Sequence, residues 1–156
     1  MEKRTALVPH SNEWKILFEK EASLIKDVFG STLLEIEHVG STSIPDIMAK
    51  PIIDIAVQIQ HHKDAGSFLN DLEKLGYIYN REKSSTERHF LQKGDPINFH
   101  LSIAYLDRGG YFKRQILFRD YLISHEDARR EYEQIKLEGL NKGDFVQKIL
   151  LLAEPC

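Results

Sequence analysis

The chain has 156 residues, 42% hydrophobic and 29% charged, which is the usage of one soluble domain with room for a real core. A net charge of −3 excludes a wholly basic nucleic-acid footprint, and no apolar run reaches the roughly 18 residues of a membrane span. The single cysteine, Cys156, excludes an internal disulfide framework and a cysteine-rich zinc site.

The opening Met1 to Pro9 has no apolar signal-peptide core, so the cytoplasm is the expected location. Residues 12–29 read as a helix. Trp14, Leu17, Phe18, Leu24, Ile25 and Val28 recur at helical spacing, Ser11 or Asn12 can cap the start, and Gly30 can end it. Residues 33–39 read as a strand and 52–59 as a buried strand. Ala65, Phe68, Leu69, Leu72 and Leu75 give an amphipathic helix over 64–75, closed by Gly76. Short strands follow at 77–80 and 88–92, and a stronger one at 97–104 after Gly94-Asp95-Pro96. Gly109-Gly110 breaks the chain, and 111–124, 126–138 and 142–153 are helical. With no repeat and no long linker, residues 1–156 form one domain. The order predicts an α+β fold: a mixed sheet with an N-terminal helix and a C-terminal helical cluster packed on it.

Two stretches carry chemistry. Glu37-His38-Val39-Gly40-Ser41-Thr42-Ser43 runs from a strand into a small-residue turn, and Lys50-Pro51-Ile52-Ile53-Asp54-Ile55-Ala56-Val57 puts one carboxylate in the middle of an apolar strand. Backbone amides and hydroxyls of Gly40, Ser41, Thr42 and Ser43 can hold a phosphate while Asp54 holds its metal. Small polar residues are also what any tight turn uses. Alternation puts Asp54, Ala56 and Gln58 on one face of their strand, and Asn98, His100 and Ser102 on one face of theirs. If the two strands are neighbours, Asp54 and His100 share a face, as a metal pair, an acid–base pair or a structural ion pair.

These blocks are where a resemblance enters. Gly-Ser followed by Asp in an apolar strand resembles the nucleotidyltransferase superfamily with the DNA polymerase β-like fold. Ile36 to Pro45 with Lys50 to Ile55 resembles the GrpB-like family more specifically. The opening Val8 to Trp14, the His100-Leu101-Ser102-Ile103 strand, Phe118 to Leu122, Tyr132 and Lys136 fit the same family. The resemblance implies a mixed sheet of the nucleotidyltransferase type. It also implies a nucleotide or other phosphorylated small molecule as ligand, Mg²⁺ or Mn²⁺ as cofactor, and a link to coenzyme A biosynthesis through a similar domain fused to dephospho-coenzyme A kinase. Nucleic acid and membrane are not expected partners.

One departure matters. Active members of the superfamily carry a second carboxylate two residues after the first, and this chain has Ala56 there. Paired carboxylates clamp the two ions of a two-metal site. Glu37 is the candidate substitute, so the metal set to be tested is Asp54, His100 and Glu37, with Asp54 and His100 as the catalytic pair. Three outcomes stay open: a one-metal transferase, a nucleotide-binding module without catalysis, or an altered hydrolase.

Among basic residues, Lys50 precedes the Asp strand, where it can neutralise phosphate charge, and Arg88, Arg119, Arg129, Arg130 and Lys136 lie on later elements. Arg119 is flanked by Phe118 and Tyr121, and the resemblance gives it and Lys136 a ligand role. Arg129 and Arg130 read as a solvated face with an Arg129–Glu133 pair. His61-His62 reads as a loop. Phe112, Phe118, Tyr121 and Tyr132 read as core before any base-stacking role.

Overall fold

A computed structural model describes residues 6–154. Cys156 and the Met1–Thr5 part of the opening read for a signal peptide lie outside the described residues. Helix α1 spans Glu13–Phe29, β1 Leu33–Val39, β2 Ile53–Ile59, α2 Leu69–Lys74, β3 Tyr77–Tyr79, β4 Arg88–Gly94, β5 Ile97–Tyr105, α3 Tyr111–Ser124, α4 Glu126–Leu137 and α5 Gly143–Ala153. The fold is α+β, as the element order predicts.

Ser11, not Asn12, supplies the side-chain cap of α1: its Oγ accepts from Glu13 N at 3.2 Å. The helix expected over 64–75 divides instead. A 3₁₀ segment, His62–Phe68, precedes a short α2. Gly66 lies in that segment, and the Ser67 hydroxyl donates to the Asp64 carbonyl at 2.7 Å, a local bond that competes with regular helix.

The five strands form one sheet in the order β1-β2-β5-β4-β3. The central pair β2–β5 is parallel, and β1–β2, β4–β5 and β3–β4 are antiparallel. One face carries Ile53, Ile55, Val57, Leu101 and Ile103, all buried against Trp14, Ile25 and Phe29 of α1 and Leu72 of α2. Each such side chain contributes about 1.5–3 kcal/mol relative to exposure.

The other face is built differently. Phe112 of α3 packs on Val39, Ala56 and Ala104. A second core then forms away from the sheet. Ile44 and Ile47, from the loop between β1 and β2, are buried among Phe118, Leu122, Tyr132, Phe145 and Ile149 of the three C-terminal helices. The helices therefore cover this face only in part, and they leave a cleft over Asp54 and His100.

Candidate functional site

The register of β2 and β5 sets Asp54 directly opposite His100. His100 Nδ1 lies 3.1 Å from Asp54 Oδ1, and Gln92 Nε2 approaches His100 Nε2 at 3.5 Å. A proton on Nδ1 donated to Asp54 leaves Nε2 as an acceptor facing the Gln92 amide, which is the tautomer of a general base. The two side chains are partly exposed, His100 at 24% and Asp54 at 37%.

The turn after β1 brings its residues to two sides. Gly40 has φ 72° and ψ −171°, a region essentially reserved for glycine. A Cβ there would lie 2.2 Å from Asp54 Oδ2. Gly40 and Ser41 line the cleft with Asp54 and His100. Thr42 and Ser43 line a separate cavity. The Thr42 hydroxyl bonds His38 Nε2 at 2.8 Å, and the Ser43 hydroxyl donates to the Gly40 carbonyl. Burial pushes the His38 imidazole down to about 4, with Arg119 and His10 adding to the effect and Asp54 opposing it.

Ser41 Oγ lies 3.0 Å from the Tyr132 hydroxyl and accepts from Lys136 Nζ. Tyr132 and Lys136 sit one turn apart on α4, so one helix face meets the turn. Burial, then the neighbouring Lys142, holds the Lys136 amine down to about 8, with Lys50 acting the same way and Asp54 and Glu133 opposing.

The cleft has two lobes of about 450 and 400 Å³, and Ser41, Asp54, His100 and Lys142 line both. Lys50 and Lys136 line the smaller lobe. Lys83, Arg88 and Arg114 line the larger. Arg88 Nη1 donates to Ser102 Oγ and to the Tyr111 hydroxyl, both at 2.9 Å, and its guanidinium lies 4.5 Å from the Phe90 ring centre and 4.9 Å from that of Tyr111. A cleft this rich in lysine and arginine favours a compact polyanion.

Glu37 and Arg119 are brought to each other rather than to Asp54. Glu37 lies opposite Ala56 on the same sheet face, and its Oε2 accepts from Arg119 Nη1 at 2.9 Å. Arg119 also donates to the His38 carbonyl at 3.0 Å and to Asp120 at 2.9 Å. Both residues line the neighbouring cavity with Thr42 and Ser43.

Ala56 is fully buried under Phe112, so the place of a second strand carboxylate is filled by packing. Among the described residues no group of three or more His, Cys, Asp or Glu side chains is arranged to hold a metal ion. Among the described residues, Asp54 is the carboxylate and His100 the imidazole that line the cleft.

Other basic residues have structural partners. Arg129 does not pair with Glu133. It donates to the carbonyls of Leu122 at 3.0 Å and Ile123 at 2.7 Å, closing the end of α3. Glu133 instead accepts from Met48 N at 2.6 Å and from Arg130 at 3.3 Å. His61 and His62 both reach Asp107 Oδ2, at 3.4 and 3.2 Å. Phe112, Phe118 and Tyr132 are core, as their spacing suggests, and Tyr121 stacks on His125 with ring centres 3.7 Å apart.

Among the cleft residues missed in the sequence are Lys83, Tyr111, Arg114 and Lys142. Strand alternation places Arg88, Phe90 and Gln92 on the Asp54 face, since they pair with Ala104, Ser102 and His100. Nothing local marks Lys142, which arrives through packing of the helices.

The chain matches the family model described as GrpB protein over residues 4–148. It is 37% identical over 135 residues to the glutamate-rich protein GrpB of Alkalihalophilus pseudofirmus, covering 83% of this chain and 78% of that protein. It is 31% identical over 134 residues to the UPF0157 protein YqkA of Bacillus subtilis, covering 86% of this chain but only 39% of that protein's length. The crystal structure of conserved protein GrpB from Enterococcus faecalis superposes with a TM-score of 0.85 at 28% identity, covering 95% of this chain and 96% of that one. The chain belongs to the GrpB protein family, and its sheet is consistent with the nucleotidyltransferase superfamily. No helix among the described residues is long and apolar enough to cross a membrane.

Proposed function

From membership of the GrpB family and the geometry of the cleft, we propose that this chain binds a phosphorylated small molecule, a nucleotide foremost, across the two lobes above Asp54 and His100. One observation carries the reading: Lys50, Arg88, Lys136 and Lys142 converge on a cleft whose central acidic group is Asp54. Cations gathered on one concave surface repel one another, and an anionic ligand relieves that cost.

A divalent ion fits this donor set only in part. Asp54 and His100 supply two ligands, so Mg²⁺ or Mn²⁺ would depend on phosphate oxygens of the ligand to complete its shell, as Mg²⁺ commonly does. The paired-carboxylate arrangement of two-metal nucleotidyl transfer does not fit, because Ala56 lies beneath Phe112. The lysines take over part of the charge neutralisation that metals would supply. Nucleotidyl transfer from such a site would lean on His100 as proton acceptor. A ligand-binding domain without turnover is the second reading, favoured by the filled position at Ala56.

The test is calorimetric titration of the full chain with inorganic pyrophosphate, nucleoside triphosphates and coenzyme A precursors, each with and without Mg²⁺ and Mn²⁺. Saturable binding of any of these, weakened in Lys142→Ala and Lys50→Ala, supports the reading. An absence of binding throughout the panel overturns it.

A further inference from the structure

Ser41 is unusual among the cleft residues. It lines both lobes, it follows the one glycine that touches Asp54, and its hydroxyl is met by two groups from a single helix face. Lys136 Nζ donates to Ser41 Oγ, and the Tyr132 hydroxyl lies 3.0 Å from the same oxygen. Tyr132 is held at 2% exposure in the second core, and its ring lies 5.2 Å from Lys136 Nζ. Lys136 thus has the Ser41 hydroxyl as a hydrogen-bond partner, within reach of a proton transfer between them once the amine is neutral.

We propose that Ser41 is a covalent nucleophile, with Lys136 as its general base and Tyr132 as the residue that positions both, and that its electrophile is a phosphoric ester or anhydride seated in the cleft. The choice of a phosphorus electrophile rests on the phosphate-binding reading above. The nucleophile itself rests on the Ser41–Lys136–Tyr132 geometry.

Serine is a weak nucleophile until a neighbouring base removes its proton, and a desolvated lysine can be that base. Around Lys136 stand Lys142 and Lys50, which favour its neutral form, and Asp54 and Glu133, which favour the charged one. Burial decides the balance and brings the amine down to about 8. In the step, neutral Lys136 takes the Ser41 hydroxyl proton as the Oγ electron pair forms the bond to phosphorus. The bond from phosphorus to the leaving oxygen breaks with its electron pair on that oxygen. The leaving oxygen takes the proton back from the Lys136 ammonium. The net products are a Ser41 phosphate ester and a released alcohol or phosphate. Lys50 and Lys142 face the charge that gathers on the phosphoryl oxygens.

A fluorophosphonate probe tests this without knowledge of the natural ligand, because it presents phosphorus with fluoride as leaving group. Labelling of the full chain is followed by intact mass and peptide mapping from about pH 6 to pH 10, a span that brackets the change in protonation of the base. The expected result is one adduct, on Ser41, forming at a rate that rises through about pH 8, where Lys136 becomes neutral. Ser41→Ala abolishes it. Lys136→Gln keeps a hydrogen-bond donor but no base, so it slows labelling about 100-fold and removes the pH inflection. Lys136→Arg, which keeps the charge, does the same and serves if the glutamine variant fails to fold.

Labelling of Ser41 no faster than that of exposed Ser23 on α1, or an unchanged pH profile in both Lys136 variants, overturns the proposal. Pyrophosphate titration runs in parallel. Ser41 labelling with no anion binding throughout the panel leaves the nucleophile standing and removes the phosphate reading. Anion binding with an inert Ser41 does the reverse.

Discussion

Gly40 and Asp54 occupy each other's space: a Cβ on Gly40 would stand 2.2 Å from Asp54 Oδ2 and 2.9 Å from its Cγ. The turn can pass the strand carboxylate this closely only because the residue there has no side chain and tolerates φ 72°. Gly40→Ala is therefore expected to lose about 1–3 kcal/mol of stability from backbone strain and to push Asp54 out of reach of His100. Gly30→Ala is the control, since Gly30 also has positive φ (55°) but nothing within 4 Å. Urea unfolding should show a loss in both variants. Calorimetry should show weakened binding of the cleft ligand in Gly40→Ala alone.

Asp54→Asn separates the two ways the cleft can hold an anion. Neutralising the carboxylate removes the strongest cation ligand, so the part of binding that depends on Mn²⁺ should vanish. Metal-free binding of pyrophosphate should persist or tighten, because an acidic group amid lysines has been removed. Titrations with and without Mn²⁺ decide it. Equal Mn²⁺ dependence in variant and wild type would remove Asp54 from the metal role.

Ala56→Asp restores the superfamily's second carboxylate in sequence but not in space. Ala56 is 0% exposed beneath Phe112, beside Val39 and Ala104. An unpaired carboxylate there should cost about 3–5 kcal/mol and should not raise Mn²⁺ affinity. Unfolding curves and metal titration test the two halves. A stable variant with tighter Mn²⁺ binding would mean that α3 yields more easily than its packing indicates.

His38 supplies an acid-side signature. Its pKa falls from 6.5 to about 4 on folding, so the unfolded chain binds the extra proton between those values. The stability it contributes is complete above about pH 6.5 and drains away as the pH falls towards 4. His38→Gln, which can still donate to Thr42, should flatten that part of the melting-temperature profile. An unaltered slope would show that carboxylates alone set the acid limb.

Arg119→Met tests whether this arginine is structural. Its guanidinium holds Glu37, the His38 carbonyl and Asp120 while only 16% exposed. The loss should be about 2–3 kcal/mol in urea unfolding, with smaller effects on anion affinity than Lys142→Ala produces. The opposite ranking would return Arg119 to the ligand site.

The sheet was legible because its periodicity is local. Alternation along β2 and β5 already set Asp54 and His100 on a common face, and their side-by-side register needed only that the strands be neighbours. Gly40 announced its positive φ by being glycine before Ser41. The cationic wall was legible only in part: Lys50 and Lys136 already carried a ligand role, while Arg114 and Lys142 did not, because their arrival depends on how three helices dock around Ile44 and Ile47. That docking turns Lys136 inward and carries Lys142 over the cleft, and it leaves Arg119 to Glu37. In an amphipathic helix the polar residues at the edge of the apolar stripe face either solvent or a cavity, and the pattern is the same for both.

Asp54 and His100 stand 46 residues apart along the chain and meet only through the parallel pairing of β2 with β5. The β1–β2 and β4–β5 ladders each join neighbours in sequence, so they can assemble separately, each with half of the site. The parallel pair closes a long loop, the kind of contact that sets the pace of folding in mixed sheets. A ligand gripping both halves has nothing to recognise until they have joined. It would act as a brake on unfolding, lengthening the lifetime of the folded chain while leaving the speed of its formation unchanged.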